Sequence, residues 1–202
     1  RLSSNTGARD AVEVLEAWDR RADADSRGAA LFLLWLYGMQ PENELALDLF
    51  AVPWDEASPL DTPNGLADPT AAVRALEAAV LQLQVFGLGP DVSLGEVLRF
   101  RRGGIDLPAN GGPGDPLGIF RSAFPEMDKD GRFKVTGGDS YIAAVEFSDP
   151  VRAATLVTYG NSSLPDSPHF GDQLELATRQ ELRPVWRTRA EIEAHLELRE
   201  GF

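Results

Sequence analysis

Residues Gly137–Gln173 read GGDSYIAAVEFSDPVRAATLVTYGNSSLPDSPHFGDQ. Two runs in this stretch, Tyr141 to Phe147 and Ala153 to Tyr159, are rich in β-branched and aromatic residues and are bounded by turn formers, the pattern of two paired strands. Ser148-Asp149-Pro150 joins them, and a polar loop holding Asn161, Ser162, Ser163, Ser167, His169, Asp172 and Gln173 follows. The residues therefore predict an α+β domain with a polar loop at the end of a hairpin. They do not name a reaction.

Upstream, Ala11, Val14, Leu15 and Trp18 stand at i, i+3, i+4 and i+7, which predicts a helix over residues 8–19 with Trp18 on its buried stripe. Ala29 to Tyr37 is apolar nearly all round and predicts a covered second helix, with Asp25 or Ser26 as its cap. Glu42 to Phe50 predicts a short third one, started near Pro41. Pro53, Pro59, Asp61, Pro63, Asn64 and Gly65 predict a loop. Asp68-Pro69 is a cap and first-turn signal, and Val73, Leu76, Val80 and Leu83 continue a helix to Gly87. After Gly89-Pro90 the runs shorten. Leu94 to Phe100 is mixed, Leu107 to Gly118 predicts a surface loop rich in Gly and Pro, and Ile119 to Phe124 and Arg132 to Val135 read as strands. A last helix opens at Thr188, with Glu191 completing a capping box and Ile192, Leu196 and Arg199 on its packed side. The organisation is thus a mainly helical segment over 1–90 and a β-rich segment over 91–202 ending in a helix, with no internal repeat.

Composition narrows the classes of partner. The chain of 202 residues is 43% hydrophobic and 25% charged, with a formal net charge of −13. Such a surface repels phosphates, which argues against nucleic acid and against an anionic membrane. There are no cysteines, so disulfides and thiolate chemistry are excluded. No run reaches the roughly 18–20 apolar residues of a membrane span. The chain begins at Arg1 without a methionine or a signal-peptide pattern, which reads as an internal piece of something longer.

The words GGDSYIAAVEFSDPVRA, YGNSS and SPHFGDQ closely resemble the C-terminal end of the β-chain of the penicillin-amidase family of N-terminal-nucleophile hydrolases, in particular its acyl-homoserine-lactone acylase and aculeacin-type acylase branch. The resemblance continues through Leu182 to Leu196 and reappears in Val14 to Phe32, so it touches both ends of the chain. It implies an αββα sandwich to which 91–202 gives core-sheet strands and the last helix, with 1–90 packed beside it. It also implies a parent enzyme that hydrolyses the amide bond of an N-acylated lactone, lipopeptide or β-lactam. That enzyme would be made as a precursor, cut autocatalytically and exported to the periplasm or outside. No cofactor is implied. The partners implied are the remaining segments of the same precursor and a small acylated substrate, with no nucleic acid and no membrane.

In that family the nucleophile is a Ser at the very start of the β-chain, whose own α-amino group takes the hydroxyl proton. Ser4-Asn5 carries the right letters behind Arg1-Leu2-Ser3, but its surroundings match a region far downstream of the family's nucleophile, so it reads as a loop serine. No catalytic residue is assigned to this chain. A Ser-His-Asp set can be written from Ser162, Ser163 or Ser167 with His169 and Asp172, although residues this close in one loop seldom converge. The alternative is that Asn161, Ser167, His169, Asp172 and Gln173 structure a loop near the cleft through side-chain hydrogen bonds to backbone. His195 reads as structural.

Asp128-Lys129-Asp130-Gly131 resembles the start of a calcium loop with Asp139 at its twelfth place, but a β-turn explains the same letters. Asp19, Asp23 and Asp25 with Arg20, Arg21 and Arg27 read as an ion-pair network, and no metal site is assigned. Arg101-Arg102 is too small for a nucleic-acid patch. Two other classes of function stay open: a stand-alone binding module using the 137–173 loop, and a serine hydrolase working through His169.

Overall fold

The computed structural model of the chain describes residues 6–39, 49–114 and 120–199. Ser4-Asn5, most of the helix expected over Glu42 to Phe50, and Leu117 to Ile119 lie outside them. The chain divides into two compact units, Arg1–Arg101 with Asp106–Gly138, and Arg102–Ile105 with Asp139–Phe202.

The first unit opens with helix α1 (Thr6–Ala17). Its apolar stripe is set as expected, with Ala8 and Ala11 fully covered, but Trp18 falls one residue past the helix and is half-buried. There its indole N–H reaches both the Arg21 carbonyl, at 2.8 Å, and Ser26 Oγ, at 2.9 Å. The ring lies 4.9 Å from that of Phe32. Ser26 in turn donates to the Arg21 carbonyl, so it is not the cap of the next helix. That place belongs to Gly28, at φ 98°, where a Cβ would stand 2.7 Å from the Cβ of Trp18. Only glycine combines that backbone with that approach.

Helix α2 (Ala29–Gly38) is covered as its composition demands, burying Ala29, Ala30, Leu31, Leu34 and Leu36. Strands β1 (Phe50–Val52) and β2 (Asn64–Leu66) form a small antiparallel pair, so the expected loop is shorter than its breakers suggested. Thr62 holds the turn through Oγ1, which accepts the Asp55 N–H at 2.9 Å and donates to the Ser58 carbonyl. Helix α3 (Pro69–Val85) has Asp68 as its cap, accepting from the N–H groups of Thr70 and Ala71 at 2.9 Å each. It ends in a Schellman closure, Leu88 N–H to Leu83 O and Gly87 N–H to Gln84 O, with Gly87 at φ 71°. Ala72, Ala75, Leu76, Ala79, Val80 and Leu83 form its buried face. The Trp35 indole on α2 donates to the Ala72 carbonyl at 2.7 Å. Each fully buried leucine here is worth about 1.5–3 kcal/mol.

The mixed run at 94–100 splits into α4 (Leu94–Val97) and β3 (Leu98–Arg102). Gly103 and Gly104 turn β3 into β4 (Ile105–Pro108), and the sheet continues with β5 (Ala123–Met127) and β6 (Phe133–Gly138) in the order β4-β3-β6-β5. β3 and β6 run parallel while β5 and β6 are antiparallel. Pro125 is accommodated because β5 is an edge, with a register shift at Phe124/Pro125. The stretch after β4 corrects the expectation of a surface loop. Ala109 through Gly114 are buried, with Gly111 N–H on the Ala22 carbonyl and Ala109 N–H on the Leu98 carbonyl. Gly and Pro give this segment its bends, and its hydrogen bonds let it pass through the interior.

The second unit is built on the hairpin β7 (Tyr141–Glu146) and β8 (Arg152–Val157), paired without a break from Tyr141↔Val157 to Glu146↔Arg152. Helix α5 (Leu174–Arg179), too short to announce itself by period, follows the polar loop, and β9 (Arg183–Pro184) joins β8. Helix α6 (Arg189–Ala194) carries the full capping box at Thr188 and Glu191. Its packed side differs from expectation. It buries no residue, Ile192 is 47% exposed, and the helix ends before Leu196 and Arg199.

Candidate functional site

The polar loop of the second unit begins where β8 ends, at buried Thr158 and at Tyr159. Gly160 follows, and its Cα lies so close to the His169 carbonyl that a side chain has no room. The loop closes on itself through the backbone, Ser162 N–H to His169 O at 3.1 Å and Gln173 N–H to Tyr159 O at 3.4 Å. Gln173, 2% exposed, ties the base. Its Oε1 accepts the Val157 N–H at 2.9 Å and its Nε2 donates to Asn161 Oδ1 at 3.2 Å. Ser167 Oγ accepts the His169 N–H at 3.2 Å, and Ser162 Oγ accepts that of Leu164 at 3.1 Å.

Arg102 is the residue that sequence reasoning passed over. Its guanidinium donates to the carbonyls of Phe170, at 2.8 Å, and Ser162, at 3.4 Å. It lies 3.9 Å over the ring of Phe170 and 5.0 Å from that of Tyr159, a cation–π arrangement on both sides. A usable signal was present: Arg101 and Arg102 are neighbours in an extended run, so their side chains leave on opposite faces. Arg101 meets Asp128 at 2.8 Å, Asp130 at 2.6 Å and Asp106 at 3.2 Å.

Those contacts decide the Asp-Lys-Asp-Gly segment. Asp128 and Asp130 form the β5–β6 turn, with Gly131 N–H on the Asp128 carbonyl, and both carboxylates are engaged by Arg101. Its hydrogen bonds, foremost, hold both carboxyls below the usual carboxylate range. Among the described residues no group of three or more His, Cys, Asp or Glu is placed to hold a metal ion. The ion-pair network expected near Trp18 is smaller than its letters: Arg21 lies 3.9 Å from Asp19 and 3.7 Å from Asp23, whereas Arg27 pairs with Asp91 at 3.0 Å.

His169 stands between two carboxylates. Nδ1 is 2.9 Å from Asp172 Oδ2 and Nε2 is 2.9 Å from Glu197 Oε2. A ring that donates from both nitrogens is an imidazolium, and the Asp172 hydrogen bond followed by the charge of Glu197 raises its pKa. A general base must instead offer a bare nitrogen to a hydroxyl. Nε2 faces Glu197 and the hydroxyls of Ser162 and Ser167 face backbone, so the serine-hydrolase arrangement does not form. His195 stacks on Trp186 at 3.9 Å, with Nδ1 on the Glu191 carbonyl at 2.8 Å.

A family model described as penicillin amidase matches residues 1–194. The chain is 33% identical over 186 residues to the acyl-homoserine lactone acylase PvdQ of Pseudomonas fluorescens, covering 89% of this chain and 23% of that protein. It is 32% identical to the PvdQ of Pseudomonas savastanoi, with the same coverage. To aculeacin-A acylase of Actinoplanes utahensis it is 29% identical over 194 residues, or 94% of this chain and 23% of that protein. A thermostable penicillin G acylase from Alcaligenes faecalis superposes with a TM-score of 0.37 at 17% identity, over 100% of this chain and 43% of that one, too distant a likeness to decide anything. The chain belongs to the penicillin amidase family, and its fold is of mixed α and β class. It spans roughly a quarter of the length of the curated relatives it matches.

Proposed function

We propose that this chain is the C-terminal part of the β-chain of an acylase that hydrolyses the amide bond of an N-acylated substrate. Acyl-homoserine lactones are the first candidates, with lipopeptides and β-lactams after them. The nucleophile is an N-terminal serine outside this chain. Its hydroxyl attacks the amide carbonyl, its own amine takes the proton and passes it to the leaving nitrogen, and water then releases the acid from the acyl-enzyme. Donors around the carbonyl oxygen hold the charge that develops there.

Within that assembly residues 91–202 give strands to an αββα core, and residues 1–90 pack beside it. Asn161, Ser167, His169, Asp172 and Gln173 hold the shape of a loop at the wall of the cleft. The parent is a precursor that cuts itself and works in the periplasm or outside the cell.

One observation carries this reading: residues 1–194 match the family while the chain covers only 23% of its acylase relatives. The test is to assay the chain alone, and co-expressed with the rest of its precursor, for release of acyl acid from N-acyl-homoserine lactones, with intact masses taken of all chains. Turnover is expected only from the assembly, which contains a companion chain beginning with Ser. Turnover by the 202 residues alone overturns the proposal.

A further inference from the structure

Two distant parts of the second unit meet at one imidazole. His169 belongs to the polar loop, where its own backbone is fixed: its N–H donates to Ser167 Oγ at 3.2 Å and its carbonyl accepts the Ser162 N–H at 3.1 Å. Glu197 comes from the tail that follows α6, and its Oε2 lies 2.9 Å from Nε2. Little else fastens that tail. Helix α6 buries no residue, and Ile192 and Leu196 are only half-covered. Arg187 seats the start of the segment by donating to the Val151 carbonyl at 2.9 Å. Beyond it, Glu191 accepts from the N–H groups of Arg187 and Thr188, Arg189 and Arg199 lie on Glu193, and His195 stacks on Trp186. Among the described residues, the polar contacts of 188–199 thus stay within 186–199, save the one from Glu197 to His169.

The two carboxylates do not hold the ring equally. The Asp172 side chain, three residues on in the same loop, is 35% exposed, whereas that of Glu197 is 76% exposed. A hydrogen bond with less water around it is the stronger one. When the imidazolium loses a proton, the one that stays is therefore on Nδ1, toward Asp172, and Nε2 turns a bare lone pair to the Glu197 carboxylate. An attraction then becomes a repulsion between two acceptors. The cations on either side are engaged elsewhere: Arg102, which braces the loop, donates to the carbonyls of Phe170 and Ser162, and Arg199 of the tail lies 3.5 Å from Glu193.

We infer that His169 is a pH-operated latch: protonated, it fastens the C-terminal segment 188–199 to the polar loop through Glu197, and neutral, it releases that segment while keeping its own bond to Asp172. Both carboxylates favour the charged ring, so the latch is closed below the free imidazole value of about 6.5 and opens as pH climbs through the higher folded value. Release also melts α6, since a helix of six residues does not persist without its seat. The loop keeps its shape, because Gln173 and Arg102 hold it through contacts that do not titrate in this range. Every part of the latch lies within one compact unit, and it does not depend on the acylase reading.

The experiment follows the His169 ring nitrogens by NMR on the whole chain from pH 6 to pH 9, together with amide protection over residues 189–195. Each exchange rate is taken relative to its intrinsic rate at that pH. Protection should fall in step with the ring's titration by about two- to fivefold, the range for an ion pair this open to water. The neutral ring should carry its proton on Nδ1. Glu197→Ala should show the released level at both ends of the range. Glu197→Gln should stay fastened at both, because its amide accepts from a protonated Nε2 and donates to a bare one. Protection that ignores the ring's titration overturns the latch, as does a fall that survives in Glu197→Ala or a neutral ring protonated on Nε2.

Discussion

At His169, carboxylate oxygens lie 2.9 Å from each ring nitrogen, and both are satisfied only when the ring carries two protons. The folded pKa is therefore raised, first by Asp172 and then by Glu197. A raised folded value contributes stability fully below the free value of about 6.5 and loses it as pH climbs through the folded value. The expected outcome is an imidazole proton resonance that titrates above that free value, and a His169→Asn variant whose thermal stability falls short of the parent at pH 6 but matches it at pH 9. A titration at or below the free value would remove the charge from this account. The ring is 37% exposed, so solvent screens the pair and the stability effect is modest. The Asp172 contact, three residues on, was within reach of a sequence reading, but the second was not, because Glu197 comes from a distant part of the sequence.

Among the elements, α3 shows how far local signals reach. Asp68, Pro69, the three- and four-residue steps and Gly87 each do in the structure what their chemistry suggests, since cap, first turn, stripe and terminator are all short-range. Asp68→Ala should lower unfolding free energy by about 1 kcal/mol, with Asp68→Asn retaining most of it, read as a shift in urea midpoint at unchanged slope. Equal loss in both variants would mean that the carboxylate charge, not the capping oxygen, is what matters. Helix α6 is the counter-example. Its capping box forms, yet none of its residues is buried and Ile192 is only half-covered, since a box sets where a helix starts and nothing about what it packs against. Residues 109–114 make the same point in reverse, buried despite a composition that belongs to surface loops.

For the molecule as a whole, the exposed aromatic and aliphatic residues need an explanation that the two compact units do not supply. Trp54, Leu60, Phe120, Phe124, Met127 and Phe147 are each more than half exposed. Single exposed residues are ordinary, but apolar area on this scale seeks a partner. The isolated chain should therefore bind the hydrophobic dye ANS at native pH while showing a cooperative melt, and the assembly proposed above should bind less dye per chain. Dye binding equal in the two would mean that these residues stay in water in that assembly.

The sequence alone determined the family, the start and stop of α3, the start of α6 and the existence of the β7–β8 hairpin. Each of these is written in contiguous words or in contacts a few residues apart. Only the tertiary structure decided that Ser26 serves Trp18 instead of capping a helix, that Arg101 occupies the carboxylates of a calcium-like turn, and that Arg102 holds the polar loop. It also set the His169 imidazole between the carboxylates of Asp172 and Glu197. These outcomes depend on which distant donor reaches which acceptor first, and hydrogen-bond capacity, once spent across the fold, is no longer available to the chemistry that local spelling suggests.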